Sequence, residues 1–142
     1  MKIAFTILAM ITSIVVHSQI TKVEIDKPLK EIHIKTLDTF VYLYSDKVEV
    51  STYDAKYSTL KPRFTFSISL ENYEALYELT TNTDVEDGGT FTLYTTDSKT
   101  IIIMFDKIWG SKKPFPFMYV DGKKLPPNVL YGRYKKKFFN KL

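Results

Sequence analysis

Cysteine is absent from the 142 residues. No disulfide can tie the fold together, no thiolate can serve as nucleophile or metal ligand, and no lipid can be attached through a cysteine near the N-terminus. Stability must come from buried apolar side chains. Histidine is nearly as scarce: there are two, and His17 falls in a segment expected to be removed. His33 alone cannot build a two-histidine zinc site or a triad that needs a second histidine, and its place in Glu31-Ile32-His33-Ile34-Lys35 puts it on the polar face of a strand. Neither a Gly-x-Ser-x-Gly elbow nor an EF-hand spacing occurs. The residues present imply no cofactor and no resident metal.

A membrane-length apolar run is missing as well. The longest mostly apolar stretch, Ile3 to Val16, makes about 21 Å of helix at ~1.5 Å per residue, short of a hydrocarbon core of roughly 30 Å. Preceded by Lys2 and followed by Ser18, it has the layout of a secretory signal peptide spanning residues 1–18, with Gln19 as the new N-terminus. The expectation is an exported chain, periplasmic or extracellular, with no transmembrane span once mature. The remaining length suits one domain over residues 19–127, followed by a tail over 128–142.

Charge is distributed unevenly. Residues 20–110 hold 15 Asp and Glu against 10 Lys and Arg, whereas residues 111–142 hold nine Lys and Arg against the single Asp121. An acidic body joined to a basic end predicts that the end folds back onto the body or is displayed to an anionic partner.

The patterning predicts α+β architecture, a mainly antiparallel sheet of six to eight strands with one principal helix packed on one face. Val23 and Ile25, then Ile32 and Ile34, alternate across Pro28; Phe40 to Tyr44 is apolar or aromatic throughout, which suits a more buried strand; Val48, Val50 and Thr52 alternate again. Arg63 to Leu70 is the cleanest strand. Ser69 is placed to cap a helix running through Leu79, with Leu70, Tyr73, Leu76 and Tyr77 as its apolar stripe and Glu71, Glu74 and Glu78 on its polar side. Phe91 to Thr95 and Ile101 to Phe105 form a hairpin with the second strand central, and Phe117 to Val120 pairs with Lys123 to Leu125 through Asp121-Gly122. Pro126 and Pro127 end the ordered pattern. No internal repeat is visible.

Two stretches carry candidate chemistry. Asp84, Glu86 and Asp87, joined by Asp106, could serve a small carboxylate-dependent hydrolase, although their spacing is no motif and a solvated acidic turn explains the first three better. The second is basic and aromatic: Trp109, Lys112, Lys113, Phe115 and Phe117, then Tyr131, Arg133, Tyr134, Lys135, Lys136 and Lys137. Interleaved cations and rings bind phosphates, stack on sugars or bases, or rest on an anionic membrane. Alternatively the rings are core and the lysines a solvated fringe. Of the two, the basic region supports the leading expectation, a non-enzymatic binding module for an anionic protein or an envelope glycan or lipid. Export makes nucleic acid an unsuitable partner.

Overall fold

Where apolar and polar residues alternate, the chain forms strands, and the computed structural model describes this over residues 26–81 and 85–141. The expected signal segment, the expected strand around Val23 and Ile25, and Asp84 lie outside the described residues.

Strands β1 (Lys30–Ile34), β2 (Thr39–Leu43), β3 (Lys47–Tyr53) and β4 (Arg63–Ser69) pair in chain order as an antiparallel meander. Ile32 faces Val41, Val41 faces Val50 and Val50 faces Phe66, so one apolar row crosses the whole sheet on its inner side. A one-residue pleat puts His33, Phe40, Ser51 and Thr65 in a row on the other side. This divides the Phe40–Tyr44 run. Val41 is fully buried, while Phe40 and Tyr42 are half-buried on the outer face, where Phe40 stacks on the exposed His33 at 4.0 Å.

Helix α1 (Leu70–Thr81) follows β4 without a loop. Ser69 Oγ accepts the Asn72 amide at 3.1 Å, the cap that frees this turn from the sheet. Tyr73 and Leu76 are buried, Tyr77 is half-buried, and Glu71, Glu74 and Glu78 are exposed. Leu70 is also exposed, because it stands at the corner where strand becomes helix. The helix runs to Thr81, and the hydroxyls of Thr80 and Thr81 donate back to the Tyr77 carbonyl at 3.0 and 2.8 Å.

A second meander follows, β5 (Thr90–Tyr94), β6 (Thr100–Asp106), β7 (Phe115–Val120) and β8 (Lys123–Lys124), again in chain order. The Asp121-Gly122 turn joining β7 to β8 has both residues at positive φ, 50° and 74°, which matches the twist of a tight hairpin. The α+β class is therefore the one expected, but the strands divide into two four-stranded sheets. They join at two points: the Thr96 amide donates to Ser67 O at 2.8 Å, and the Ala55 amide donates to Lys124 O at 2.8 Å. Asp54 reinforces the second junction, its Oδ1 accepting the amides of Lys56 and Lys124, both at 3.1 Å.

Order does not end at Pro127. Val129 and Leu130 are buried, a second helix α2 spans Gly132–Phe138, and Phe138 and Phe139 are both almost completely enclosed. The stretch expected as a separate tail from residue 128 contributes to the same core as both sheets and α1, so Pro127 is no boundary of packing. Its physical basis is the four-residue spacing of Tyr134 and Phe138, which share one face of α2, with the buried Leu130 just ahead of the helix. Among the described residues, no helix is long and apolar enough to cross a membrane.

Candidate functional site

The segment between β6 and β7, from Lys107 to Pro114, leaves the ladder and turns back sharply. Gly110 supplies a positive φ of 82°, and the Ser111 amide donates to Ile108 O at 2.9 Å. The Ser111 hydroxyl donates to Lys113 O, fixing the returning arm. This turn carries Ile108 and Trp109 at its tip, the first half-exposed and the second fully exposed.

Facing that turn is the start of α2. Between them lies a groove of about 920 Å³, with Trp109, Lys112 and Lys113 on one wall, Tyr131, Lys135 and Lys136 on the other, and the end of α1 closing one side through Thr80 and Thr81. The floor is apolar, formed by Phe105, Phe115, Pro116 and Leu130, all buried. Phe115 and Tyr131 lie 4.6 Å apart and pin the two walls together. Among the described residues, no Asp or Glu lines the groove.

Seven of the residues expected to form a basic aromatic site thus meet in one place, although they come from two separate segments: Trp109, Lys112, Lys113, Phe115, Tyr131, Lys135 and Lys136. The other four stand elsewhere. Phe117 lies on the outer face of the second sheet beneath Lys124, whose Nζ is 5.0 Å from its ring. Arg133 sits over Tyr134 and donates to its Oη at 3.1 Å. That guanidinium and the Thr36 hydroxyl hold the Tyr134 phenol below its usual range. Tyr134 itself packs against the core, and Lys137 projects into solvent outside the groove wall.

The basic end also folds back in part. Lys141 pairs with Glu74 at 3.5 Å and lies 4.9 Å from the Tyr77 ring, while Lys135 Nζ reaches Thr80 O at 3.4 Å, at the negative end of α1. The three ion pairs among the described residues are Arg63–Asp38, Lys99–Asp97 and Lys141–Glu74, so Lys107, Lys112, Lys113 and Lys136 have no carboxylate partner there.

Sequence patterning did not reveal the apolar floor or the helix end that closes the groove. Leu130 lies in the turn before α2, and neither it nor the approach of Thr80 and Thr81 has a local signal. Of the acidic candidates, Glu86, Asp87 and Asp106 are exposed, and Asp87 Oδ1 accepts the Lys107 amide at 2.8 Å, a bond that anchors the groove turn. Among the described residues no three of His, Cys, Asp and Glu come together as metal ligands would. Compared with known protein families, with characterised proteins and with solved structures, the chain matches none.

Proposed function

We propose that this protein is an exported, non-enzymatic binding module that holds an anionic partner in the groove between the Trp109 turn and α2. The observation that supports this reading is the convergence of lysines from two segments on a groove lined by no carboxylate among the described residues. Like charges are brought together only at an electrostatic cost, which an anionic ligand would relieve. The apolar floor and rings add contact area that a purely electrostatic site would lack.

The test uses Trp109, the single tryptophan in the chain, as a built-in reporter. Dextran sulfate, a soluble polyanion, should alter its emission, and the affinity should fall with added salt as the exposed charges are screened. The double variant Lys112→Glu, Lys113→Glu should lose the response while keeping its circular dichroism spectrum. An unchanged response in that variant would remove the groove as the binding site. Export is tested separately by the N-terminal sequence of the protein recovered outside the cytoplasm, expected to begin at Gln19.

A further inference from the structure

We infer that the anionic partner is a lipid membrane surface, met by the turn at Ile108 and Trp109; this rests on the binding role proposed for the groove and names its partner.

Three observations carry it. First, Ile108 and Trp109 are adjacent, at the tip of a turn, and exposed by 46% and 104%. A tryptophan is among the residues least often left in water, and the two together present an apolar point rather than a wall. Ile108 and Trp109 both border the groove, and a soluble glycan or peptide lying in it would cover only the groove-facing side of the fully exposed Trp109. A bilayer takes both, because indole settles at the headgroup level and an aliphatic side chain just below it.

Second, the tip is held out. The Ser111 amide bond to Ile108 O, the Ser111 hydroxyl bond to Lys113 O and the Asp87 bond to the Lys107 amide fix the turn at both ends. A turn so braced pays little ordering cost on insertion.

Third, the tip is accompanied by cations that can meet headgroup phosphates. Lys107, Lys112 and Lys113 flank it in sequence, Lys136 faces it across the groove, and none of these four has a carboxylate partner among the described residues. Basic residues ringing an exposed apolar tip are the arrangement that binds anionic leaflets, each lysine near the surface contributing about fivefold in partitioning.

The experiment uses the full mature chain with three probes: vesicles of phosphatidylglycerol and phosphatidylcholine, vesicles of phosphatidylcholine alone, and dextran sulfate. The anionic vesicles should co-sediment the protein and shift Trp109 emission to the blue, the zwitterionic vesicles should do neither, and salt should weaken the binding. Trp109→Ala should lower partitioning on anionic vesicles roughly tenfold, and Lys112→Glu with Lys113→Glu by about 100-fold or more. Lys27→Glu with Lys56→Glu, an equal charge change at two exposed lysines away from the groove, should lower it far less. A response to dextran sulfate with none to anionic vesicles would overturn the membrane assignment and leave the groove's binding role standing; no response to either would overturn both. Equal binding to zwitterionic vesicles, or equal losses in the two lysine pairs, would also overturn it, since the local charges would then have no part.

Discussion

Tyr73 and Phe138 are 65 residues apart, yet the Tyr73 hydroxyl donates to the Phe138 carbonyl at 2.6 Å in a buried setting, joining the two helices. Burial, with Glu74 beside it, holds the Tyr73 phenol above its usual range. The folded state therefore retains the phenolic proton more tightly than the unfolded chain, whose tyrosines ionise near pH 10. Stability associated with this group is present in full below about pH 10 and is lost as the pH rises beyond it. Tyr73→Phe should cost about 1–2 kcal/mol at neutral pH and should flatten the alkaline fall in urea midpoint. A variant as steep as the parent chain would assign that fall to other groups.

Truncation after Pro127 should unfold the domain rather than trim it. Phe138 and Phe139 pack on Tyr73, and Phe139 also on Tyr77, at ring distances of 5.2 to 6.2 Å, and both are almost completely buried. Phe138→Ala alone should cost about 3–5 kcal/mol, and the truncation removes both rings together with Val129 and Leu130. Thermal unfolding followed by circular dichroism would show a cooperative transition in the parent chain and none in the truncated one. A surviving transition would mean that the two sheets and α1 close a core on their own.

Thr39 and Thr52, both fully buried, make an asymmetric pair. Thr39 Oγ1 donates to Leu37 O at 2.9 Å and lies 2.8 Å from Thr52 Oγ1. With its one proton spent on the carbonyl, Thr39 must accept from Thr52. Thr39→Val should then be the costlier change, by ~1–2 kcal/mol over Thr52→Val, because it leaves both a carbonyl and a hydroxyl unpaired. Equal costs in chemical denaturation would show that the donor order is reversed or shared.

What could be read from residues alone was whatever depends on near neighbours. The alternation in Arg63–Ser69, the Ser69 cap and the Asp121-Gly122 turn are set by contacts within a few positions, and all three are found in the fold. The division of the strands into two sheets was not legible, because it rests on junctions such as Asp54 with Lys124, whose partners lie 70 residues apart. The outward side of β2 was hidden for a related reason. A run of Phe40, Val41, Tyr42 reads as uniformly apolar, and only the neighbouring strands decide which side is covered.

For the groove, the residue types were legible and their meeting was not. Trp109 to Phe115 and Tyr131 to Lys136 stood out by composition, yet nothing local says that the two stretches face each other. Helix α2 was overlooked because Pro126 and Pro127 suggested an end to order, whereas they precede the buried Val129 and Leu130 and the helix itself starts five residues after Pro127. The acidic turn was legible as a turn, but not that its Asp87 braces the loop from Lys107.

The contact between β1 and α2 governs the order in which the fold can be made. Lys30 Nζ donates to Asn140 Oδ1 at 2.5 Å, so residues from the two extremes of the described chain are neighbours. The first sheet is fully synthesised by Ser69, but the rings that complete its core arrive about 70 residues later, several seconds at ribosomal rates of ~5–20 residues per second. Throughout that interval the chain lacks its closing plug and cannot reach its final, slowly assembled long-range contacts. Any factor that binds unfolded chains has that interval in which to engage it.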